Sequence, residues 1–307
     1  QLDCTTAKGV TAVAATDGSW EYAESERRTF GPWRPHEMGG EIVDARKVLP
    51  DFKSQTLDQL KWKSVKVADN PAHKATPQMC ELNRIVETLH PIAVHKTGKD
   101  SYIYDMGTCF VGFTEIQMPV VKKGKTIKLY YEDYYLNDLA DFRDKEYTDK
   151  YIGDGESKGK FSSKFNYKGY RYLKIIGLAE PLPLESITGG KVRTDYKAKT
   201  TFECSDKDIN AIYNMIHNTC HALTLGGYMV DCPQVERFGY GGDGNASTPT
   251  LQTIGNVAPL YMNWIGTWAD CQRPDGGMPH TAPNPYPAGG GPYWCTFIIP
   301  AAWHTYI

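Results

Sequence analysis

The stretch that decides the fold is "TFECSDKDINAIYNMIHNTCHALTL", residues 201–225, where the sequence pattern changes from strands to helices. Ser205 is a suitable N-cap, and the acidic residues after it suit the positive end of a helix dipole. Apolar residues then recur at the spacing of a helix with one buried face, at Ile209, Ile212, Ile216 and Cys220. The sequence therefore predicts that an all-α region begins near residue 200.

Upstream of this stretch, three segments rich in β-branched and aromatic residues predict strands, namely "SYIYDMGTCFVGFTEIQM" (101–118), "KTIKLYYEDYY" (125–135) and "YKGYRYLKIIGL" (167–178). Earlier residues alternate short apolar pieces with turn residues. We interpret the chain as multidomain, with a β-rich accessory region over 1–85, a β-sandwich over 86–198 and an all-α region over 199–307. Downstream, Pro259 interrupts a second helical segment, and a Gly/Pro-rich loop spans 274–292.

The composition narrows the classes of partner. The 34 basic and 36 acidic residues nearly cancel, which argues against nucleic acid or an anionic membrane surface. The 20 Tyr and 7 Trp favour a neutral ligand such as a sugar, because flat amphipathic side chains stack on sugar rings. No apolar run reaches transmembrane length, so membrane insertion is not predicted. Formation of a homo-oligomer is left open.

Three carboxylates lie close together in "VDCPQVERFGYGGDGN", residues 230–245. Asp231, Glu236 and Asp243 are separated by apolar, aromatic and glycine residues, which indicates a partly dry pocket rather than a solvated face. Without further context, a structural network of ion pairs or turns is the more common role for such a cluster.

Several segments in order resemble the α-L-rhamnosidases of glycoside hydrolase family 78. "YDMGTCFVGFTEIQM" followed by "GKTIKLYYED" is similar to the family's D-x-G-x-N-x-x-G-W pattern and its next strand, and "FNYKGYRYLKIIGL" resembles F-x-Y-x-G-F-R-Y. "TTFECSDKDINAIYNMI" resembles the entry into the helical domain. "DCPQVERFGYGGDG" is similar to the acid-bearing D-C-P-Q-x-E-R-x-G-W-x-G-D motif.

The resemblance implies the start of an (α/α)6 barrel after the β region, and an inverting glycosidase that removes terminal α-L-rhamnose from glycosides or polysaccharides. Glu236 would be the general acid. The residues implied to bind the sugar or shape its pocket are Asp231, Asp243, Arg237, Tyr240, Trp294 and His280. An apolar wall for the methyl group of a deoxysugar would come from aromatic side chains, with Phe238, Tyr240, Trp264, Trp268 and Trp294 as candidates. For each of these aromatics taken alone, core packing is the more common role.

The sequence also departs from the family pattern. Tyr240 stands where tryptophan is more frequent, and Cys109 stands where asparagine is frequent in the β region. In "GGGPYWCTF", Cys295 or Thr296 falls where an acid is expected. An (α/α)6 barrel needs twelve helices, and the family's base glutamate falls beyond residue 307. We therefore expect the chain to be a segment of a longer protein that aggregates or stays inactive when expressed alone.

His217 and His221 lie four residues apart with Cys220 beside them, a spacing that can hold zinc. A fourth ligand is not defined, so we favour packing on the helix and predict no metal and no cofactor. Rival functions are a glycosidase acting on another sugar and a non-catalytic carbohydrate-binding protein. The eight cysteines show no CxxC pair and leave the compartment open, with a periplasmic or secreted location favoured over the cytoplasm.

Overall fold

The structure is a computed structural model that describes residues 2–14, 16–34, 37–47, 60–69, 77–134, 148–283 and 291–307. Its strands are β1 Leu2–Thr6, β2 Gly9–Ala14, β3 Glu21–Tyr22, β4 Arg27–Arg34, β5 Glu37–Asp44, β6 Lys63–Ser64, β7 Asn83–Leu89, β8 Ala93–Gly98, β9 Ser101–Met118, β10 Thr126–Glu132, β11 Thr148–Ile152, β12 Gly159–Ser162, β13 Lys168–Ile176, β14 Ile187–Thr194, β15 Thr224–Leu225 and β16 Tyr228–Met229. Its helices are α1 Lys207–Leu223, α2 Gly241–Ile254, α3 Ala258–Asp270, α4 Pro292–Cys295 and α5 Ile298–Tyr306, with 3-10 turns at Ala45–Lys47 and Leu184–Ser186.

Ten strands form one sheet around the long strand β9. The order is β4-β5-β11-β10-β13-β9-β14-β7, and β8 and β12 also pair with β9. All pairs in this sheet are antiparallel except β5 with β11. The three predicted strand segments are confirmed as β9, β10 and β13, although residue 135 lies outside the described residues. Because β4 and β5 join this sheet, it contains residues from both sides of the predicted boundary near residue 85.

The sheet encloses an apolar core and a group of buried charges. Phe110, Ile116 and Leu173 are fully buried in the apolar part. The side chains of Lys168 and Asp149 are also fully buried, with 3.8 Å between the Lys168 Nζ and Asp149 Oδ1 atoms. Buried charges are tolerated only when they have partners. The Asp149 carboxylate accepts hydrogen bonds from the Glu41 N–H at 2.7 Å and the Tyr131 hydroxyl at 2.8 Å.

Helix α1 begins one residue later than predicted, and its apolar face is not buried. Asp206 is the N-cap in place of Ser205, because its carboxylate accepts hydrogen bonds from the N–H groups of the next turn. Ile209, Ile212 and Ile216 are 47%, 52% and 39% exposed, whereas Cys220 is buried. The prediction of one continuous buried face is therefore wrong, since these isoleucines are exposed while Tyr213, Cys220 and Leu223 pack against a core of the described chain.

The remaining helices pack around large aromatic side chains. Pro259 does not interrupt a helix but lies in the first turn of α3, so the predicted second segment is two helices, α2 and α3. Trp264, Trp268 and Phe297 are fully buried where α2, α3 and α5 meet. Residues 284–290 of the predicted Gly/Pro-rich loop lie outside the described residues.

A sheet-rich N-terminal region is thus followed by a helical region. In the described part of the chain, α1, α2, α3 and α5 are the helices of nine residues or more. They establish a helical region but not a twelve-helix barrel. No helix among the described residues has the length and apolar content needed to cross a membrane.

Candidate active site

The carboxylates found in the sequence lie on a tight loop, residues 231–240, which we call the acid loop, and on the helix that follows it. Backbone hydrogen bonds close the loop, from Asp231 N–H to the Phe238 carbonyl at 2.9 Å and from Arg237 N–H to the Cys232 carbonyl at 3.1 Å. Arg237 has a backbone φ of 64°, in the left-handed region that residues other than glycine rarely adopt. The loop therefore holds Glu236 beside a backbone position that needs support from its surroundings.

The Asp231 carboxylate is engaged by the loop itself. Its Oδ1 accepts a hydrogen bond from Phe238 N–H at 2.9 Å, and its Oδ2 accepts one from the Cys232 thiol at 2.9 Å. Burial raises the pKa of Asp231 above its ordinary value of 3.8, and the charge of Glu236 adds to this effect. The hydrogen bonds from Cys232 and Phe238 act in the opposite direction. Asp231 is thus a half-buried carboxyl that shapes the loop and repels negative charge at Glu236.

Tyr240 brings the three acids together. Its hydroxyl hydrogen-bonds the Glu236 side chain, and Glu236, Asp231 and Asp243 are all close enough for their charges to act on it. Burial, followed by the bond to Glu236 and the three negative charges, raises the pKa of Tyr240 above 10.0. The phenol consequently stays protonated and acts as a hydrogen-bond donor within the acid cluster.

Asp243 lies on a helix that follows the acid loop. It occupies the first turn of α2, where the helix dipole favours a negative charge, and it is exposed. The adjacent glycines let Trp294 approach. A Cβ at Gly241 would meet the Trp294 carbonyl oxygen at 1.9 Å, and one at Gly242 would meet the Trp294 ring at 2.5 Å. Trp294, 41% exposed, therefore lies against the start of α2, on the helix that carries Asp243.

His280 is placed beside the acid loop by backbone pairing. Its carbonyl accepts a hydrogen bond from Gly241 N–H at 2.9 Å, and Thr281 forms a β-bridge with Tyr240. The imidazole ring lies 5.5 Å from the Tyr240 ring, centroid to centroid, and the Phe238 ring lies 5.9 Å from the Tyr240 ring. The structure thus gathers Phe238, Tyr240 and His280 into one aromatic group next to Glu236.

Two other candidates for an aromatic wall are in the core. Trp264 and Trp268 are fully buried, and the Trp264 indole N–H donates to the Ala282 carbonyl at 3.0 Å. They pack against Phe297, with ring centroids 4.3 and 5.3 Å away. Of the two roles left open for these tryptophans, the structure shows core packing, because the side of α3 that carries them faces α5.

Arg237 contacts the sheet-rich region. Its guanidinium donates to Asn166 Oδ1 at 2.7 Å, to the Tyr167 carbonyl at 2.8 Å and to the Pro233 carbonyl at 2.7 Å. It also stacks on the Tyr167 ring at 4.0 Å. All of these contacts are directed at backbone, amide and aromatic groups, and within the described chain none of these hydrogen bonds joins Arg237 to an acid of the cluster. A role for Arg237 in binding substrate stays a prediction.

His217 and His221 contact each other with ring centroids 4.0 Å apart, and His221 also packs on Tyr196. Burial lowers the pKa of His221 from 6.5 to about 3, and the positive charges of Arg193, His217 and Lys191 contribute. This environment favours a neutral ring that takes part in packing. Within the described ranges, His, Cys, Asp and Glu side chains form no group of three or more that could hold a metal ion.

Two site residues were missed by the sequence analysis. The Cys232 thiol donates to Asp231 and, at 3.4 Å, accepts a hydrogen bond from Glu236 N–H, so it connects two of the acids. Asn166 is fully buried in the sheet-rich region and contacts Arg237. Cys232 could have been found from its place inside the motif, but Asn166 is 71 residues away and carries no local signal.

Comparison with known proteins gives consistent matches along the chain. The model of the α-L-rhamnosidase N-terminal domain matches residues 1–87, the bacterial α-L-rhamnosidase concanavalin-like domain matches residues 95–193, and the bacterial α-L-rhamnosidase 6 hairpin glycosidase domain matches residues 197–307.

Individual relatives agree with these matches. An α-L-rhamnosidase of Formosa agariphila is 26% identical over 301 residues, which are 92% of this chain and 31% of the relative. The structure of α-L-rhamnosidase from Dictyoglumus thermophilum superposes with a TM-score of 0.77 at 28% identity, covering 87% of this chain and 31% of that chain. The Streptomyces avermitilis α-L-rhamnosidase complexed with L-rhamnose shares the fold, with a TM-score of 0.80 at 24% identity over 88% of this chain and 27% of that chain.

The chain thus spans about a third of the length of these relatives. The three family models follow one another in order and leave few residues of the chain unmatched. The segments that carry the acids and their supports lie inside these matches, with Asn166 in the second and the acid loop in the third. The chain therefore belongs to the bacterial α-L-rhamnosidase family.

Proposed function

We propose that the chain is the acid-bearing part of a glycoside hydrolase that removes terminal α-L-rhamnose from glycosides or polysaccharides. The observation that carries the proposal is the cluster of Glu236, Asp231 and Asp243 around the Tyr240 hydroxyl in a chain of this family. The choice of α-L-rhamnose as the sugar rests on relatives that are named α-L-rhamnosidases. The helical region would form the first part of an (α/α)6 barrel, with the sheet-rich region as an accessory β-sandwich.

In this proposal Glu236 is the general acid. A glycosidic bond breaks when a carboxylic acid protonates the departing oxygen while a second carboxylate activates water on the opposite face of the sugar. Tyr240 orients the Glu236 side chain through its hydroxyl. Asp231 is held too firmly by Phe238 and Cys232 to swing toward a leaving group, which suits it to receive sugar hydroxyls instead. Asp243, exposed on α2, is placed for the same task.

The stereochemistry is part of the proposal. We infer an inverting mechanism, in which the acid and the base lie roughly 6.5–9.5 Å apart to leave room for water. The general base is then not Asp231, which lies in the same closed loop as the acid. Trp294, His280 and Phe238 would provide the apolar and polar contacts around the sugar ring, because the structure places them near Tyr240 or Asp243.

The complete protein should be assayed against a panel of aryl glycosides, with nuclear magnetic resonance used to record the anomer of the sugar released first. Hydrolysis of the α-L-rhamnoside alone, with release of the β-anomer, is the expected result. Retention of the anomer would reject the inverting mechanism, and turnover of a different glycoside would reject the sugar. Binding of L-rhamnose in calorimetry without any turnover would instead favour a carbohydrate-binding protein.

A further inference from the structure

The outer side of the acid loop is attached to the sheet-rich region by the Arg237 side chain. Two of the three hydrogen bonds made by the guanidinium cross to Asn166 and Tyr167, and the third returns to Pro233 inside the loop. Arg237 directly follows Glu236 and has the left-handed φ of 64°. Such a conformation persists only when its surroundings hold it. The contacts to the sheet-rich region provide these surroundings together with the loop's own hydrogen bonds from Arg237 to the Cys232 and Pro233 carbonyls.

Asn166 is itself fixed by buried groups. The Glu41 carboxylate, which is fully buried, accepts hydrogen bonds from three consecutive N–H groups, those of Lys164, Phe165 and Asn166, at 2.9, 2.9 and 3.0 Å. The Asn166 amide also donates to the Gly39 carbonyl. Both ends of the amide group are thus engaged, which sets the direction of Oδ1 toward Arg237. A rigid side chain of this kind is suited to hold another group in place.

A second feature shows that the loop is closely seated on the sheet-rich region. A Cβ at Gly169 would lie 2.8 Å from Pro233 Cγ, so only glycine allows β13 to approach the loop this closely. Beside this contact, the Gln234 amide donates to the Asp133 carboxylate at the end of β10. The loop therefore rests on the sheet-rich region at Pro233, Gln234 and Arg237, on both sides of Glu236.

We propose that Asn166 and Arg237 are positioning residues, through which the sheet-rich region sets the orientation of Glu236. This inference rests on the proposed function for the consequence of that orientation. We call the hydrogen bonds from Arg237 to Asn166 and Tyr167 the link. When the link is lost, the backbone at Arg237 relaxes from its left-handed conformation and turns the peptide that carries Glu236. Displacement of a catalytic group by about 1 Å can reduce a rate by about 100-fold. Protonation of a poor leaving group is the step that depends on this placement.

The kinetic test uses Asn166→Ala in the complete protein, with Asn218→Ala as a matched control. Asn218 also joins the helical region to the sheet, because it accepts from Lys191 at 2.7 Å and donates to the Cys109 carbonyl at 3.2 Å, but it does not contact the acid loop. We expect Asn166→Ala to lower kcat about 10- to 100-fold on an alkyl rhamnoside and about 3-fold or less on an aryl rhamnoside with a good leaving group. Asn218→Ala should leave both rates within about 3-fold of the parent.

A double-substitution cycle separates positioning from a general loss of structure. With Glu236→Gln already in place, Asn166→Ala should lower the remaining rate by about 3-fold or less, because the group that it positions no longer donates a proton. An equal loss from Asn166→Ala in both backgrounds would overturn the proposal. If Asn166→Ala does not fold, Arg237→Lys gives the same test, since lysine keeps the charge but lacks the planar guanidinium whose three nitrogens reach Asn166, Tyr167 and Pro233 together.

Hydrogen exchange of the peptide that covers residues 231–240 gives a measurement that does not depend on activity. The N–H groups of Arg237 and Phe238 should exchange faster in Asn166→Ala and at the parental rate in Asn218→Ala. Unchanged exchange in Asn166→Ala would overturn the link itself. A parent protein that hydrolyses no rhamnoside would reject the proposed function and the catalytic role of the link, while the exchange result would still decide whether Asn166 holds the loop.

Discussion

The Asp231 side chain combines a structural and a proposed functional role at one position. Its raised pKa means that the ionised form is disfavoured in the folded protein. The stability associated with this carboxyl is fully present below about pH 3.8 and is lost as the pH rises through the folded-state pKa. Near neutral pH the ionised group therefore costs stability, which is expected where a site is organised for a ligand rather than for folding.

We expect Asp231→Asn to lower kcat/KM about 100-fold or more while raising Tm at pH 7 by about 1–2 °C. Asparagine keeps an oxygen that accepts from Phe238 N–H and removes the buried charge. The gain in Tm should shrink toward pH 4, where the aspartate is increasingly protonated. Thermal unfolding followed by circular dichroism at both pH values measures this. A lower Tm at pH 7 than in the parent would show that the carboxylate is needed for folding.

Glu236→Gln tests the proposed acid. The amide should lower kcat about 100-fold or more on glycosides with poor leaving groups and much less on aryl rhamnosides that leave without protonation. Equal losses on both substrates would exclude Glu236 from the acid role. Glu203→Gln, an exposed change before α1, is the control and should retain parental rates on both substrates.

His221 should contribute to instability in acid. Because its pKa is lowered to about 3, the unfolded chain binds a proton near pH 6.5 that the folded protein does not bind. The stability from the neutral ring is fully present above pH 6.5 and is lost as the pH falls toward 3. We expect His221→Phe to reduce the drop in Tm between pH 7 and pH 5 by about 2–4 °C, measured by circular dichroism. A drop equal to that of the parent would contradict the shift.

At the scale of elements, glycines set how closely α2 packs on its neighbours. A Cβ at Gly244 would lie 2.5 Å from the Phe297 ring, whereas nothing lies within 4 Å of a Cβ at Gly266 in α3. We expect Gly244→Ala to lower the free energy of unfolding by about 1–3 kcal/mol through overpacking. Gly266→Ala should raise it by about 0.5–1 kcal/mol through helix propensity. Urea unfolding of both variants checks this, and a stabilising Gly244→Ala would show that Phe297 can move away.

The sequence predicts where strands and helices lie better than it predicts which of their faces are buried. Strand β9 was found with its bounds because eighteen residues carry a continuous strand pattern, and α1 was found because its apolar residues are periodic. Periodicity shows which face is apolar but not what covers that face. Periodicity therefore could not predict that Ile209 and Ile212 are exposed, or that Trp264 and Trp268 are buried.

The candidate site was predictable only where its residues are close in sequence. Asp231, Glu236 and Asp243 lie within one motif, and the structure brings them together around Tyr240. The contact between Asn166 and Arg237 depends on how the sheet and the acid loop meet, which no local pattern records. Likewise, Trp294 can lie where it does because Gly241 and Gly242 have no Cβ atom to block it.

At the scale of the whole molecule, apolar side chains on α1 and α5 are exposed in this chain. Ile212 and Met215 on α1 are 52% and 62% exposed, and Ile299 and Trp303 on α5 are 66% and 59% exposed. Large apolar side chains exposed to this extent promote association. We expect the 307-residue chain expressed by itself to bind a hydrophobic dye. Combined Ile212→Lys and Met215→Glu should lower dye fluorescence and raise the soluble fraction.

Asn214→Lys, an exposed polar position on the same helix, is the control for added charge. Dye fluorescence that falls equally with Asn214→Lys would assign the effect to placing a charged side chain on α1 rather than to the loss of apolar surface. Fluorescence that is unchanged in the double variant would place the dye-binding surface elsewhere in the molecule.

The close seating of Pro233 against Gly169 also limits how this family can be recombined. A chimera that joins the sheet-rich half of one homologue to the helical half of another has to match glycine at position 169 and the Asn166–Arg237 pair together. Otherwise the acid loop loses the contacts that seat it on the sheet-rich region. A junction between the two halves is therefore better placed outside residues 164–169, which make these contacts to the acid loop.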